Sequence, residues 1–357
     1  MKITKILVAL SFLFAVTSAN AGTMTVTGGM QATYHSESDN TTGNPLGMDT
    51  ELTFSGATEL DNGITVKVMQ DYAGDASSAM TFGNSQIAFG NVMGIATIYV
   101  GSDSDPMDAI DDITPSAFEE ANGSNSGSHD DIGTNAGELG IGLKVSLPIL
   151  GDVNAKYYPK TDGVKNGDKG SSGATGSHGV GSGSSITLKT PFAGLPVIGG
   201  ALDGLVLTTG YAENENNTIA NTDEEIELTA ALNYSYGPLS LGYQKKYENH
   251  GNATTAAVDA TFVKADVYGI AYAVNDSLSI SWNKYESYYH NVSSTGSATA
   301  AAAARGGSLA VQDTTAINIG YTVGGMTFGF QDAQTDNAGY IKNAKDDART
   351  LSVVVAF

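Results

Sequence analysis

Hydrophobic and polar residues alternate with a period of two over most of the chain. At the end of the sequence, Leu351, Val353, Val355 and Phe357 share one parity, and Thr350, Ser352, Val354 and Ala356 share the other. Successive side chains of a strand point to opposite sides, so this stretch predicts a strand with one apolar and one more polar face. The pattern recurs with Val26, Gly28, Met30, Ala32 and Tyr34 against Thr25, Thr27, Gly29, Gln31 and Thr33. It recurs again with Ile226, Leu228, Ala230, Leu232 and Tyr234 against Glu225, Glu227, Thr229, Ala231 and Asn233, and with Leu278, Ile280 and Trp282 against Ser279, Ser281 and Asn283. About sixteen such segments can be marked, at roughly 23–35, 48–59, 62–73, 82–91, 94–102, 136–147, 152–160, 184–190, 203–213, 223–236, 238–248, 260–273, 276–287, 313–323, 325–335 and 346–357. Tyr34, Tyr72, Tyr234 and Tyr321 fall near segment ends.

The connections come in two kinds. Leu60–Gly63, Gly90–Gly94, Pro148–Asp152, Tyr236–Pro238, Val274–Asp276 and Val323–Gly325 are short and carry the Gly, Pro, Asn and Asp chemistry of tight turns. Between them run long polar stretches, 36–47, 103–135, 161–184, 249–258, 290–312 and 335–344. Short turns at one end and long loops at the other, joining strands of about ten residues with aromatic ends, predict an all-β transmembrane antiparallel barrel of about 16 strands. A soluble sandwich has no cause for such asymmetry. Sixteen strands would enclose an aqueous channel rather than a packed interior.

The first residues read as an export leader. Lys2 and Lys5 precede an apolar run from Ile6 to Val16, and Ala19-Asn20-Ala21 forms a small-residue cleavage site. Residues 1–21 are therefore expected to be a signal peptide and 22–357 a single barrel domain. The leader is too short to span a bilayer as a helix, and Leu195–Leu207 is interrupted by Pro196, Gly199, Gly200, Asp203 and Gly204. Composition agrees. With no Cys, disulfides and thiolate chemistry are excluded, and 44 Gly and 17 Tyr suit a turn-rich β protein. A mean hydropathy of −0.09 is what a barrel with a wet lumen averages to. The net charge of −21 repels nucleic acid and anionic solutes and draws in cations.

Taken together, the strand carrying Val26-Thr-Gly-Gly-Met30, the alternating turns and loops, an expanded third loop and the terminal Phe357 resemble the Gram-negative general porins, the trimeric, sixteen-stranded outer-membrane channels. The resemblance covers the whole mature chain and rests on this arrangement rather than on one motif. It implies an outer-membrane location, a homotrimer, contact with outer-membrane lipids, and recognition of Phe357 by the barrel-assembly machinery as an assembly signal. It also implies that the third loop folds inward and narrows the pore, with acidic residues facing basic residues on the wall. The Pro-Glu-Phe run of enterobacterial members is absent, and Pro115–Glu120 is only loosely similar, so the likeness transfers to the loop and not to single positions.

In this chain that loop is 103–135, with Asp103, Asp105, Asp108, Asp111, Asp112, Glu119, Glu120, Asp130 and Asp131 and no Lys or Arg. The first seven are the expected pore constriction, where an acidic ring lowers the energy of a passing cation. A solvated external loop is the alternative. Parity places Lys67, Lys144 and Lys156 on the lumen wall, since the lipid face would cost roughly 2–4 kcal/mol at the midplane. Asp103, Asp105 and Asp108 are oxygen-rich enough for calcium but lack the EF-hand spacing. None of the five His residues (35, 129, 178, 250 and 290) stands at metal-ligand spacing from another, no serine is marked as a nucleophile, and Gly163–Gly183 lacks P-loop spacing and reads as a flexible loop. Ala300–Ala304 could form a short helix. The expected function is a passive, cofactor-free, non-enzymatic channel for small hydrophilic solutes and ions, with a preference for cations. The competing readings are a solute-specific channel and a non-channel barrel serving as an adhesin or structural surface protein.

Overall fold

A computed structural model describes residues 22–38, 43–75, 80–103, 105–121, 132–133, 135–159, 181–194, 202–215, 224–249, 259–292 and 310–357. The expected leader, Ala300–Ala304 and most of the long loops lie outside these residues. Sixteen antiparallel strands close into one barrel, each paired with its neighbours in sequence and the last paired with the first. They are β1 (Thr23–Glu37), β2 (Leu46–Glu59), β3 (Thr65–Asp75), β4 (Thr81–Val92), β5 (Ala96–Gly101), β6 (Gly140–Leu147), β7 (Gly151–Tyr158) and β8 (Gly183–Pro191). The second half comprises β9 (Leu205–Asn214), β10 (Glu225–Tyr236), β11 (Leu239–Asn249), β12 (Asp259–Ala273), β13 (Leu278–Val292), β14 (Gln312–Val323), β15 (Met326–Asp336) and β16 (Lys345–Ala356).

The barrel is inverted relative to a soluble protein. Leu351, Val355, Ile317, Leu228, Phe54 and Val68 point outward and are exposed, whereas Gln244, Asn283, Asn318, Gln331 and Thr335 point inward and are buried. This is the distribution expected when the outer solvent is hydrocarbon and the inner one is water. Period-two alternation fixes the register, because a slip by one residue would put every polar side chain into lipid. At the seam, Ala32 pairs with Val353 and Tyr34 with Leu351. Phe357 extends that pairing: its N–H donates to Gly28 O at 3.0 Å and its carbonyl accepts from Gly28 N at 3.1 Å.

The short connections are tight turns as expected. Gly63 sits at φ +80° and donates to Leu60 O, and Asn91, Met93 and Gly94 carry the positive φ of the next turn. The expected strand boundaries hold to within three residues except at two places. β6 starts at Gly140 rather than at 136, because Ala136 N bonds Gly133 O in a turn, with Gly137 at φ +80°. β13 runs on to Val292, well past 287, through continued pairing with β12. No helix among the described residues is long and apolar enough to cross a membrane.

Candidate functional site

The connection between β5 and β6 folds into the barrel and runs along its inner wall. Its contacts advance strand by strand. Tyr158 of β7 and Ser185 of β8 donate to Asp105 Oδ1 at 2.6 and 2.9 Å. Gln244 of β11 donates to Ile110 O at 2.8 Å and accepts from Ile113 N, and Asn233 of β10 donates to Ile113 O. Asn283 of β13 donates to Pro115 O, Ser281 Oγ accepts from Ala117 N at 2.9 Å, and Gln331 of β15 donates to Glu120 O at 2.8 Å. Five inward side chains thus bind the loop by its backbone, which explains why no family motif is needed to hold it there.

Close approach requires a second feature, a track of inward glycines on β9, β11, β12, β14 and β15. A Cβ at Gly210 would come within 2.5 Å of Met107 Sδ, and one at Gly242 within 2.3 Å of Pro115 Cδ. At Gly269 and Gly320 it would meet backbone, Pro115 O at 2.6 Å and Ala117 O at 2.2 Å, and at Gly329 the Phe118 ring at 2.3 Å. Any side chain at these positions would lift the loop off the wall.

The acidic candidates separate into distinct environments. Asp105 is 1 % exposed and turned to Tyr158 and Ser185, so it anchors the root of the loop. Asp111 and Asp112 both reach Lys246 Nζ, at 2.7 and 2.8 Å, and Asp111 also accepts from Ile132 N. Lys246, on β11, is 2 % exposed and lies over the Tyr285 ring. Asp108 is exposed, Asp103 is half-buried beside Gln86 of β4, and Glu119 and Glu120 are half-buried at the far end of the loop. Glu119 lies beside Thr33, His35 and Thr350 at the β1–β16 seam. Burial raises the carboxyl pKa of Asp108, with Asp105, Asp103 and Asp112 adding to it. It raises Glu119 too, against an opposing effect of His35, and pushes Glu120 up to about 7 with help from Asp112. Among the described residues no group of His, Asp or Glu is arranged to hold a metal ion, the Asp103–Asp108 stretch included.

Cross-strand register puts Lys67, Lys144 and Lys156 on the inward face, in line with Ala88, Tyr99 and Asn154. Their surroundings differ. Lys67 is exposed to the lumen and Lys144 lies over the Tyr99 ring. Lys156 is 2 % exposed, packs over Tyr158 and donates to Asp103 O and Glu138 O at 3.2 and 3.1 Å. It is a buried brace for the loop root and not an open wall cation.

Two features escaped the sequence reading. One is Lys246, whose inward parity on β11 was legible although its acidic partners, more than 130 residues earlier, were not. The other is the wall the loop leaves uncovered. On β1–β3 the inward face carries Glu37, Asp49, Glu51, Glu59, Asp71 and Asp75 against the single Lys67. Parity alone could have found these acids. The surface facing the acidic loop is therefore itself acidic, in contrast to the basic wall that the general porins led us to expect.

No family model matches the chain, and no curated protein matches it. Solved structures do. A mutant porin of Rh. blastica aligns with a TM-score of 0.57 at 12 % identity over 94 % of this chain and all of that one. The trimer form of OmpT, an outer membrane protein of Vibrio cholerae, aligns with a TM-score of 0.65 at 11 % identity over 95 % of this chain and all of that one. A further structure described as a porin aligns with a TM-score of 0.62 at 10 % identity over 94 % of this chain. At these identities the likeness shows the fold alone: a closed, sixteen-stranded antiparallel barrel like that of the porins.

Proposed function

We propose that this chain is an outer-membrane porin, a passive, non-enzymatic channel for small hydrophilic solutes and ions that favours cations, assembled as a homotrimer in a Gram-negative envelope. The observation that carries the proposal is the charge of the inner surface. Loop acids Asp103, Asp108, Glu119 and Glu120 stand on one side, and Asp49, Glu51 and Asp71 on the other, with Lys67 and Lys144 as the opposing cations of the uncovered wall. Lys246 and Lys156 are occupied within the loop packing and add little positive field to the water path. Carboxylates on both sides of a narrow aqueous passage overlap within a Debye length of about 8 Å at physiological salt, which concentrates cations and excludes anions. The porin and trimer named among the structural neighbours support the channel and its self-association.

Transport of this kind needs no cofactor; a solute moves down its gradient past the loop. Single-channel recording in a planar bilayer tests the proposal. Discrete, ohmic conductance steps are expected, whereas a purified, folded barrel that gives no steps would point to the adhesin or structural reading. Saturable flux of one solute would point to a specific channel.

A further inference from the structure

The loop is fastened differently where it reaches the β1–β16 seam. Up to Glu120 the wall holds it by its backbone, and Ser116 Oγ closes its end as a turn by donating to Glu119 O at 2.6 Å. The Glu119 side chain projects beyond these anchors into a cavity of about 330 Å³ that is also lined by Thr33, His35, Pro45, Leu46, Gly47 and Thr350. Among the described residues its carboxylate accepts no hydrogen bond there. The end of the loop is therefore held at its backbone and loose at the side chain that faces the seam.

His35 stands opposite it, with Nε2 3.1 Å from Glu37 Oε1 and Nδ1 2.9 Å from Thr350 Oγ1. An ionised carboxylate only accepts, so in the neutral ring Nε2 carries the proton and Nδ1 accepts from the Thr350 hydroxyl. Histidine is the side chain whose charge changes between pH 8 and 5. The added proton goes to Nδ1, which then donates to Thr350 Oγ1 and frees that hydroxyl's single hydrogen. The unengaged carboxylate lining the same cavity is Glu119. The other charges facing this space are acidic: Glu37 on β1, Asp49 on β2, the buried Asp346 on β16 and Glu120 on the loop. The inward faces of these three strands carry no Lys or Arg. Burial holds the Glu119 carboxyl above the usual glutamate range and a charged His35 pulls it back, so each group favours the charged form of the other.

We infer that His35 and Thr350 form a proton-operated clasp for the end of the loop: the protonated imidazole turns the Thr350 hydroxyl to Glu119, which fastens the loop end to the seam and steadies the passage. The effect on conduction rests on the channel reading above; the fastening itself does not. A nitroxide at Glu120→Cys tests it in folded protein, since the chain has no other Cys and the substitution also removes the titration of Glu120. One charge-assisted hydrogen bond should raise the immobile fraction about tenfold between pH 8 and pH 5.5. Adding His35→Gln, Thr350→Val or Glu119→Ala should leave mobility at its pH 8 level throughout. Should the labelled protein fail to fold, open-channel noise in Glu120→Gln carries the same comparison, falling on acidification unless one of the three changes is added. A response that survives His35→Gln or Glu119→Ala overturns the proposal. One that survives Thr350→Val, which removes the hydroxyl and keeps the branched shape, overturns the relay in favour of direct attraction between His35 and Glu119. A label that is immobilised at acid pH in a barrel that gives no conductance steps would uphold the clasp and fail the channel reading instead.

Discussion

The glycine track makes a strong demand on the channel, and Gly320→Ala tests it. A Cβ at position 320 would lie 2.2 Å from Ala117 O, a backbone atom with no rotamer to relieve the clash. Restoring an ordinary contact near 3.2 Å needs a displacement of the loop by about 1 Å. The Ala117 N–H bond to Ser281 Oγ, now 2.9 Å, would then open to about 3.9 Å and cease to be a hydrogen bond. Loss of that bond, with strain on the Asn283 and Gln331 bonds to either side, should weaken loop docking by roughly 1–3 kcal/mol. The wall blocks movement outward, so the loop moves toward the lumen. Single-channel conductance should fall and open-channel noise should rise, while the thermal unfolding of the barrel changes little. Gly29→Ala is the control, since its Cβ would meet only Val355 O at 3.4 Å and no part of the loop. Unchanged conductance and noise in Gly320→Ala, with the protein correctly folded, would refute the idea that the glycines seat the constriction.

Other outcomes follow from the same geometry. Lys246→Met removes the buried partner of Asp111 and Asp112 and should destabilise the folded protein by about 3–5 kcal/mol, seen as a lower unfolding midpoint, while making surviving channels more cation-selective. The pKa of about 7 at Glu120 makes selectivity depend on pH: lowering pH from 8 to 6 protonates the group, removes a lumen charge and weakens cation preference, and Glu120→Gln should remove most of that dependence. Because the folded-state pKa is raised above the ordinary 4.5, ionising Glu120 opposes folding; the penalty is absent below about 4.5 and complete above about 7, so loop docking should be firmer at pH 5 than at pH 8 in thermal unfolding. Deleting Phe357 removes two backbone bonds to Gly28 at the closing seam, and folded, heat-modifiable protein at the cell surface should fall sharply in fractionation assays.

Strand positions and facing were legible because each depends on local alternation and on turn chemistry within a few residues. Outward Leu351 and inward Thr350, or outward Val68 and inward Lys67, follow from parity alone. The loop's interior path was legible only through resemblance, because nothing local in 103–135 says which wall will accept it. The side chains that hold it, Gln244, Asn283, Ser281 and Gln331, lie 131 to 211 residues away and read singly as ordinary polar strand residues. The pairing of Lys246 with Asp111 and Asp112 was hidden for the same reason. Conversely, the acids on β1–β3 needed no long-range information. They were passed over because the resemblance directed attention to basic residues on the wall.

The reversal potential of single channels in a salt gradient bears most directly on the account. A potential of the sign and size of a cation-selective pore is expected, largest at low salt and shrinking as screening grows. It should move toward zero when Asp108, Glu119 and Glu120 are replaced by amides, and further when Asp49, Glu51 and Asp71 are replaced as well. An anion-selective potential, or one that none of these replacements changes, would contradict a channel whose two facing walls are both acidic.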